Sequence, residues 1–147
     1  MEATLRIKTN VETTAFDNLG RPKAKTRAHN LVTDYGLNRF ITMTMDTAQP
    51  EGGGVGYGDD NTAPNPVDTA LGNELQSGLG LWSPGSTGVC YVERTFAITS
   101  TETAREAGLY GDDLVYVYAR AVFSGISLVS GDALLVKWTI TLTDGSP

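Results

Sequence analysis

The sequence predicts a mainly β protein: an antiparallel β-sandwich-like domain with one or two short helices and a long Gly-rich loop. Three observations point there. The C-terminal half alternates apolar and polar residues in three runs of nine to eleven residues, too closely spaced for crossover helices. The N-terminal segment alternates in the same way around a turn signal. Seventeen glycines in 147 residues, with 40% hydrophobic and 19% charged residues, are the composition of a turn-rich globular chain. A chain of this length is expected to be a single domain, residues 1–147, with one core.

Residues 1–28 read as a β-hairpin. Leu5, Ile7 and Val11 share one face of the first strand and Arg6 and Lys8 the other. Asp17-Asn18-Leu19-Gly20 supplies turn chemistry, and after Pro22 the chain returns through a basic strand carrying Lys23, Lys25 and Arg27. In the β core, residues 29–147, Leu37, Phe40, Ile41 and Thr44 recur at helical spacing, with Thr33 or Asp34 as cap, so a helix is expected at 34–42. Gln49 to Pro66 holds three of the six prolines and the run GGGVGYG, which predicts a long loop, with Val55–Tyr57 as a candidate short strand within it. A cap candidate at Asp68 and leucines at 71 and 75 predict a second helix of about two turns at 68–76. Gly78–Gly88 reads as another connection, with Trp82 anchoring it to the core edge.

The three C-terminal strands follow. Cys90, Val92, Phe96 and Ile98 share one face of residues 89–99, and Val115, Val117, Ala119, Ala121 and Phe123 share one face of 114–123. Leu134, Val136, Trp138, Ile140 and Leu142 alternate without a break. The opposite face of the middle strand carries Tyr116, Tyr118 and Arg120, side chains that cover much area at little entropic cost. An oligomer interface is expected there, the alternative being that this face packs beneath the Gly-rich loop.

Charge and composition narrow the function classes. Residues 1–39 sum to +3 and the remainder to −9, within a net charge of −6. An acidic body repels a phosphate backbone, so nucleic acid is not an expected partner. Arg21, Lys23, Lys25 and Arg27 are the exception, either as a solvated arm or as one that docks on an acidic neighbour. No apolar run is long enough for a membrane span and the first residues lack the apolar stretch of a secretory signal, so a chain made in a cytoplasm and away from membranes is expected.

Catalytic chemistry is sparse. A single His29 has no marked nucleophile to serve, and Cys90 lies on an apolar strand face. GGGVGYG matches neither phosphate-loop pattern and is followed by Asp59 and Asp60, which repel phosphate. Those aspartates could offer oxygens to calcium, but they do not fit the EF-hand spacing and a solvated loop is favoured. The expectation is therefore no catalytic residue, no metal and no cofactor. Trp82, Tyr57 and Tyr91 leave stacking on a sugar ring open.

Five stretches occur in a telling order: His29-Asn30-Leu31-Val32-Thr33-Asp34-Tyr35-Gly36-Leu37, Val55-Gly56-Tyr57-Gly58, Asp68-Thr69-Ala70-Leu71-Gly72-Asn73-Glu74, Arg105-Glu106-Ala107-Gly108-Leu109-Tyr110 and Lys137-Trp138-Thr139-Ile140-Thr141-Leu142. This series, over about residues 29 to 142, resembles tailed-bacteriophage virion proteins, in particular the tail-collar or tail-fibre N-terminal attachment domain. The resemblance implies a non-enzymatic virion structural protein, assembled in the host cytoplasm, homo-oligomeric and docked on other capsid or tail proteins. A tail fibre continues into a trimeric shaft whereas this chain ends at Pro147, which implies the attachment module alone, as a tail or collar adaptor or a capsid decoration (cement) protein. A glycan-binding, lectin-like adhesion module is the alternative. Glu106-Ala107-Gly108 is expected to form a tight structural corner, with Gly108 free of side-chain strain, Leu109 turned inward and Glu106 accepting backbone N–H bonds that pin the preceding loop.

Overall fold

The computed structural model describes residues 5–45 and 53–144. The start of the connection at Gln49–Gly52 and the side chains of His29, Phe40, Ile41 and Thr44 lie outside the described residues. Chain order is β1 (Leu5–Phe16), β2 (Pro22–His29), β3 (Leu31–Val32), α1 (Asp34–Met45), β4 (Gly54–Gly58), β5 (Glu74–Leu79), β6 (Leu81–Pro84), β7 (Val89–Ala97), β8 (Glu102–Tyr110), β9 (Val117–Leu128) and β10 (Ala133–Asp144).

Two five-stranded antiparallel sheets result. The first has the order β2-β1-β10-β7-β6 and the second β3-β9-β8-β4-β5. The alternating residues of both inner faces interdigitate in one core: Val11 and Ala15 of β1, Leu134, Val136 and Trp138 of β10 and Val92 and Phe96 of β7 meet Val55 and Tyr57 of β4, Ala107 and Leu109 of β8 and Ala119 and Ala121 of β9. The β-sandwich expected from the alternation is thus the architecture observed.

The hairpin turn works through Asp17, whose Oδ1 accepts the N–H groups of Leu19 and Arg21 at 2.9 Å each. Bonding from the Arg21 N–H is the first cause that holds the Asp17 carboxyl below its usual range. α1 begins where Thr33 caps it: Thr33 Oγ1 accepts the Gly36 N–H at 3.0 Å and donates to the Val117 carbonyl at 2.8 Å. Gly36 then lies directly on the backbone of Tyr118, where a Cβ would meet the Tyr118 Cα at 2.7 Å. Helix and strand can touch this closely only because that side chain is missing.

Three expectations are corrected. No helix occurs at 68–76: residues 66–73 are turns and bends, and Glu74–Leu79 is the edge strand β5. Leu71 is buried on the outside of the second sheet, while Leu75 packs against the central core, so the two leucines serve different layers instead of one helical stripe. Gly78–Gly88 is only partly connection, since Leu81–Pro84 forms β6 beside β7. Strand β9 starts at Val117, not 114: Leu114 takes a positive φ of 58° in a turn and Val115 is exposed.

Candidate functional site

The outer face of the second sheet carries the most concentrated polar chemistry of the described residues. On β8, a bulge near Arg105 precedes Glu106, after which Glu106, Gly108 and Tyr110 point outward while Ala107 and Leu109 point into the core. On β9, Arg120 lies outward beside Glu106. Over them runs the chain from Asp59 to Asn73.

Glu106 is fully buried, and both its oxygens are occupied. Oε1 accepts the Asn73 N–H at 2.8 Å and the Asp60 N–H at 3.4 Å, and Oε2 accepts the Gly72 N–H at 2.9 Å and Arg120 Nε at 2.8 Å. Arg120, 3% exposed, reaches on to the Thr62 carbonyl at 2.9 Å and to Asp68 at 3.3 Å, with Asp60 3.7 Å from its other terminal nitrogen. The Asp60 carboxyl is held below its usual range first by hydrogen bonds from Thr62 and further by the Arg120 charge. A carboxylate saturated with donors has no lone pair for general acid or base work. This pair is a clamp that fixes the 59–73 segment to the sheet.

The strand beneath makes room for the clamp. Gly54, Gly56 and Gly58 share the outer face of β4, and a Cβ on Gly58 would run into the Asn73 carbonyl and Glu106 Oε1, one on Gly56 into the Tyr110 ring at 2.8 Å. GGGVGYG is therefore mostly a buried strand whose glycines seat neighbouring groups. Alongside, Leu71, Tyr110, Val117 and Leu114 form a small second apolar cluster. Tyr110 donates to Glu74, and burial together with that bond raises its hydroxyl pKa. Tyr57, from the inner face, donates to Glu102 and accepts from Gln76 at 2.7 Å; burial first, then the Glu102 bond, raises its pKa.

The expected corner at Glu106, Gly108 and Leu109 is instead the middle of β8. Gly108 has no positive φ; a Cβ there would press on Leu71 at 2.9 Å and on the Tyr110 ring at 3.0 Å, so packing and not backbone freedom explains it. Glu106 does accept backbone N–H bonds and hold the preceding loop.

The face expected as an interface divides. Arg120 and Tyr118 are buried within the molecule, Arg120 under the 59–73 segment and Tyr118 under α1, where its hydroxyl accepts from Arg39 at 3.2 Å. They do not present a surface to a partner. Tyr116 does, at 42% exposure, stacked 4.7 Å from Tyr35 and near the exposed Val115. For Arg120 the alternative holds, since the end of the Gly-rich loop at Asp60 and Thr62 lies over it, while Tyr118 is covered by α1.

The four basic residues of the hairpin all have partners inside the chain. Arg21 bonds Asp17 at 3.0 Å, Lys23 pairs with Asp132, and Lys25 and Arg27 share Glu12 at 3.0 and 2.8 Å. Although partial burial opposes it, the bonds from Lys25 and Arg27 hold the Glu12 carboxyl below its usual range. Asp132 is lowered first by Lys23 and then by the Val129 N–H.

Trp82 is not a core anchor: it is 58% exposed on β6, with Leu79 and Leu81 exposed beside it. Cys90 is half-buried next to it, and burial pushes the thiol pKa up, which makes it a poor nucleophile. Among the described residues no group of three or more His, Cys, Asp or Glu is placed to hold a metal ion; Asp59 is bonded by Asn73 at 2.6 Å and Asp60 by Thr62. None of the described helices is long and apolar enough to cross a membrane.

No family model matches the chain, and neither a curated protein nor a solved structure is found to match it.

Proposed function

We propose that this chain is a non-enzymatic structural protein of a tailed-phage virion, an oligomeric module that docks on other virion proteins at the tail, the collar or the capsid surface. The observation that carries the reading is the employment of its polar chemistry. Glu106 and Arg120, a deeply buried charged pair, are spent on holding a loop, and apolar side chains stand exposed at two separate places, Leu79, Leu81 and Trp82 on one edge and Val115 and Tyr116 beside Tyr35 of α1. Such surfaces suit adhesion. The ordered motif series described above supplies the phage setting. Imaging of particles assembled in the presence of labelled protein tests it: many copies over the shell select decoration, a few at one vertex select tail or collar, and particles that carry no copy remove the proposal.

A lectin-like module is the second reading, favoured by the exposure of Trp82. It predicts sugar binding of about millimolar strength or better that disappears in Trp82→Ala. Because the indole is exposed, that variant should change stability by no more than about 0.5 kcal/mol. A flat titration of the parent protein against a glycan panel eliminates this reading.

A further inference from the structure

The chain passes from β5, an edge of the second sheet, to β6, an edge of the first, through Gly80 alone. Side chains along this passage point in different directions. Leu79 lies opposite Gly54 on the outer side of the second sheet, and Leu81 lies opposite Glu93 on the outer side of the first. Trp82 instead lies opposite the core residue Val92, so it faces the margin between the two sheets. Arg94, exposed, stands two residues beyond Val92 on the same face of β7, diagonal to Trp82 at a backbone separation of about 7–8 Å. The margin therefore presents one exposed indole and one exposed guanidinium, with Leu79 and Leu81 turned away from both. Contacts inside the chain position the two groups. Arg94 Nη1 donates to the Leu79 carbonyl at 2.8 Å, and its Cζ is 5.4 Å from the centre of the Phe96 ring. Gly78 makes room for it, since a Cβ there would meet Arg94 Cζ and Nε at 2.6 Å. The Trp82 indole bonds the Cys90 side chain. Among the described residues Arg94 has no carboxylate partner; Glu93 points to the other face of β7, opposite Lys137.

We infer that this margin binds a glycan through one acidic sugar, whose carboxylate takes the free donors of Arg94 while its ring covers the exposed indole of Trp82. A guanidinium held in place without a carboxylate of its own is a fork for a planar anion, and the contact it lacks within the chain is the one the ligand supplies. Size selects a sugar over a protein. One ring and one fork, a strand spacing apart, match a single saccharide bearing a carboxylate, whereas a stable protein contact covers about 800 Å² on each partner. Overall charge narrows the class further. At −6 the chain repels a polyanion from a distance, so the acidic unit belongs to an otherwise neutral glycan.

The inference rests on the lectin-like reading above and names the class of sugar it takes. Titration of the full chain with oligosaccharides capped by glucuronic, galacturonic or sialic acid, each beside its uncapped neutral parent, tests it. At least one capped glycan should bind about tenfold or more tighter than its parent. Arg94→Gln should bring the two to equal affinity, and Trp82→Ala should remove both. Urea unfolding of each variant checks that the fold is kept; should Arg94→Gln lose it, Arg94→Lys retains the charge without the fork and is expected to give up most of the preference. Capped and neutral glycans binding alike, with binding lost in Trp82→Ala, would overturn the acidic-sugar inference and leave the lectin-like reading standing. No binding by any member of the panel removes both. A preference that survives in Arg94→Gln places the carboxylate elsewhere and overturns the site, and so does equal binding of a short acidic peptide, which makes the margin a protein contact.

Discussion

Replacing Arg120 with alanine should lower the unfolding free energy by about 3–5 kcal/mol, the usual cost of removing one partner from a buried ion pair. Glu106 would stay fully buried with its charge, compensated only by the backbone N–H groups of Gly72, Asn73 and Asp60. The Thr62 carbonyl and the Asp68 carboxylate would lose their anchor at the same time. Urea unfolding at unchanged m-value measures the loss. A Glu106→Leu/Arg120→Met double variant should cost less than the sum of the single changes, because no lone charge remains buried, yet it does not return to parental stability. The Gly72 and Asn73 N–H groups then face an apolar side chain, at about 1–3 kcal/mol for each donor left unsatisfied. A single Arg120→Ala variant within about 1 kcal/mol of the parent would mean that the 59–73 segment is held by something other than this clamp.

Trp138→Ala is expected to cost about 3–5 kcal/mol, the range of aromatic-to-alanine changes in packed cores. Trp138 is completely buried at the middle of β10, flanked by Val11 of β1 and Val92 of β7, and faces the second sheet across the sandwich. Its Nε1 has no hydrogen-bond partner among the described residues. That orphan donor makes Trp138→Phe the informative companion: it removes part of the ring but also removes an unsatisfied N–H that itself costs about 1–3 kcal/mol, so the phenylalanine variant should lose well under half of what alanine loses. Equal losses from the two substitutions would mean that the indole nitrogen is satisfied in solution and that ring volume alone sets the energy.

The sandwich was legible because its strands obey period two with little interruption. Val11, Val92, Phe96, Leu134, Val136 and Trp138 could be assigned to the core from alternation alone, and each is buried. The Thr33 cap and the onset of α1 were readable for a similar local reason. Glycine limited the reading elsewhere. In β4 the residues on one face are Gly54, Gly56 and Gly58, so there is no polar or apolar partner for Val55 and Tyr57 to alternate with; the short strand expected at Val55–Tyr57 is present, but the long loop around it gave no sign that both its faces are covered. At 68–76 two leucines at helical spacing belong to different layers, and a four-residue interval carries no mark of that. The clamp shows the same division: the role of Glu106 as acceptor of backbone N–H groups was visible from its local motif, whereas its partner Arg120 stood with Tyr118 on a face for which an interface and packing beneath the Gly-rich loop were both open. Both lie on the outer side of β9, and only the tertiary path of α1 and residues 59–73 decides that this side is covered.

The pairing of β1 with β10, Leu5 facing Asp144 and Phe16 facing Ala133, has a consequence for how the chain reaches this state. β1 leaves the ribosome well before β10, its neighbour in the sheet, so the centre of this sheet cannot close until residues 133–144 have emerged as well. Early in translation β1 has only β2 to lean on, in a hairpin that is marginal alone. A topology whose decisive contacts join strands so far apart along the chain is a slow one to acquire, and it leaves hydrophobic strands such as β7 waiting for their neighbour in the interval.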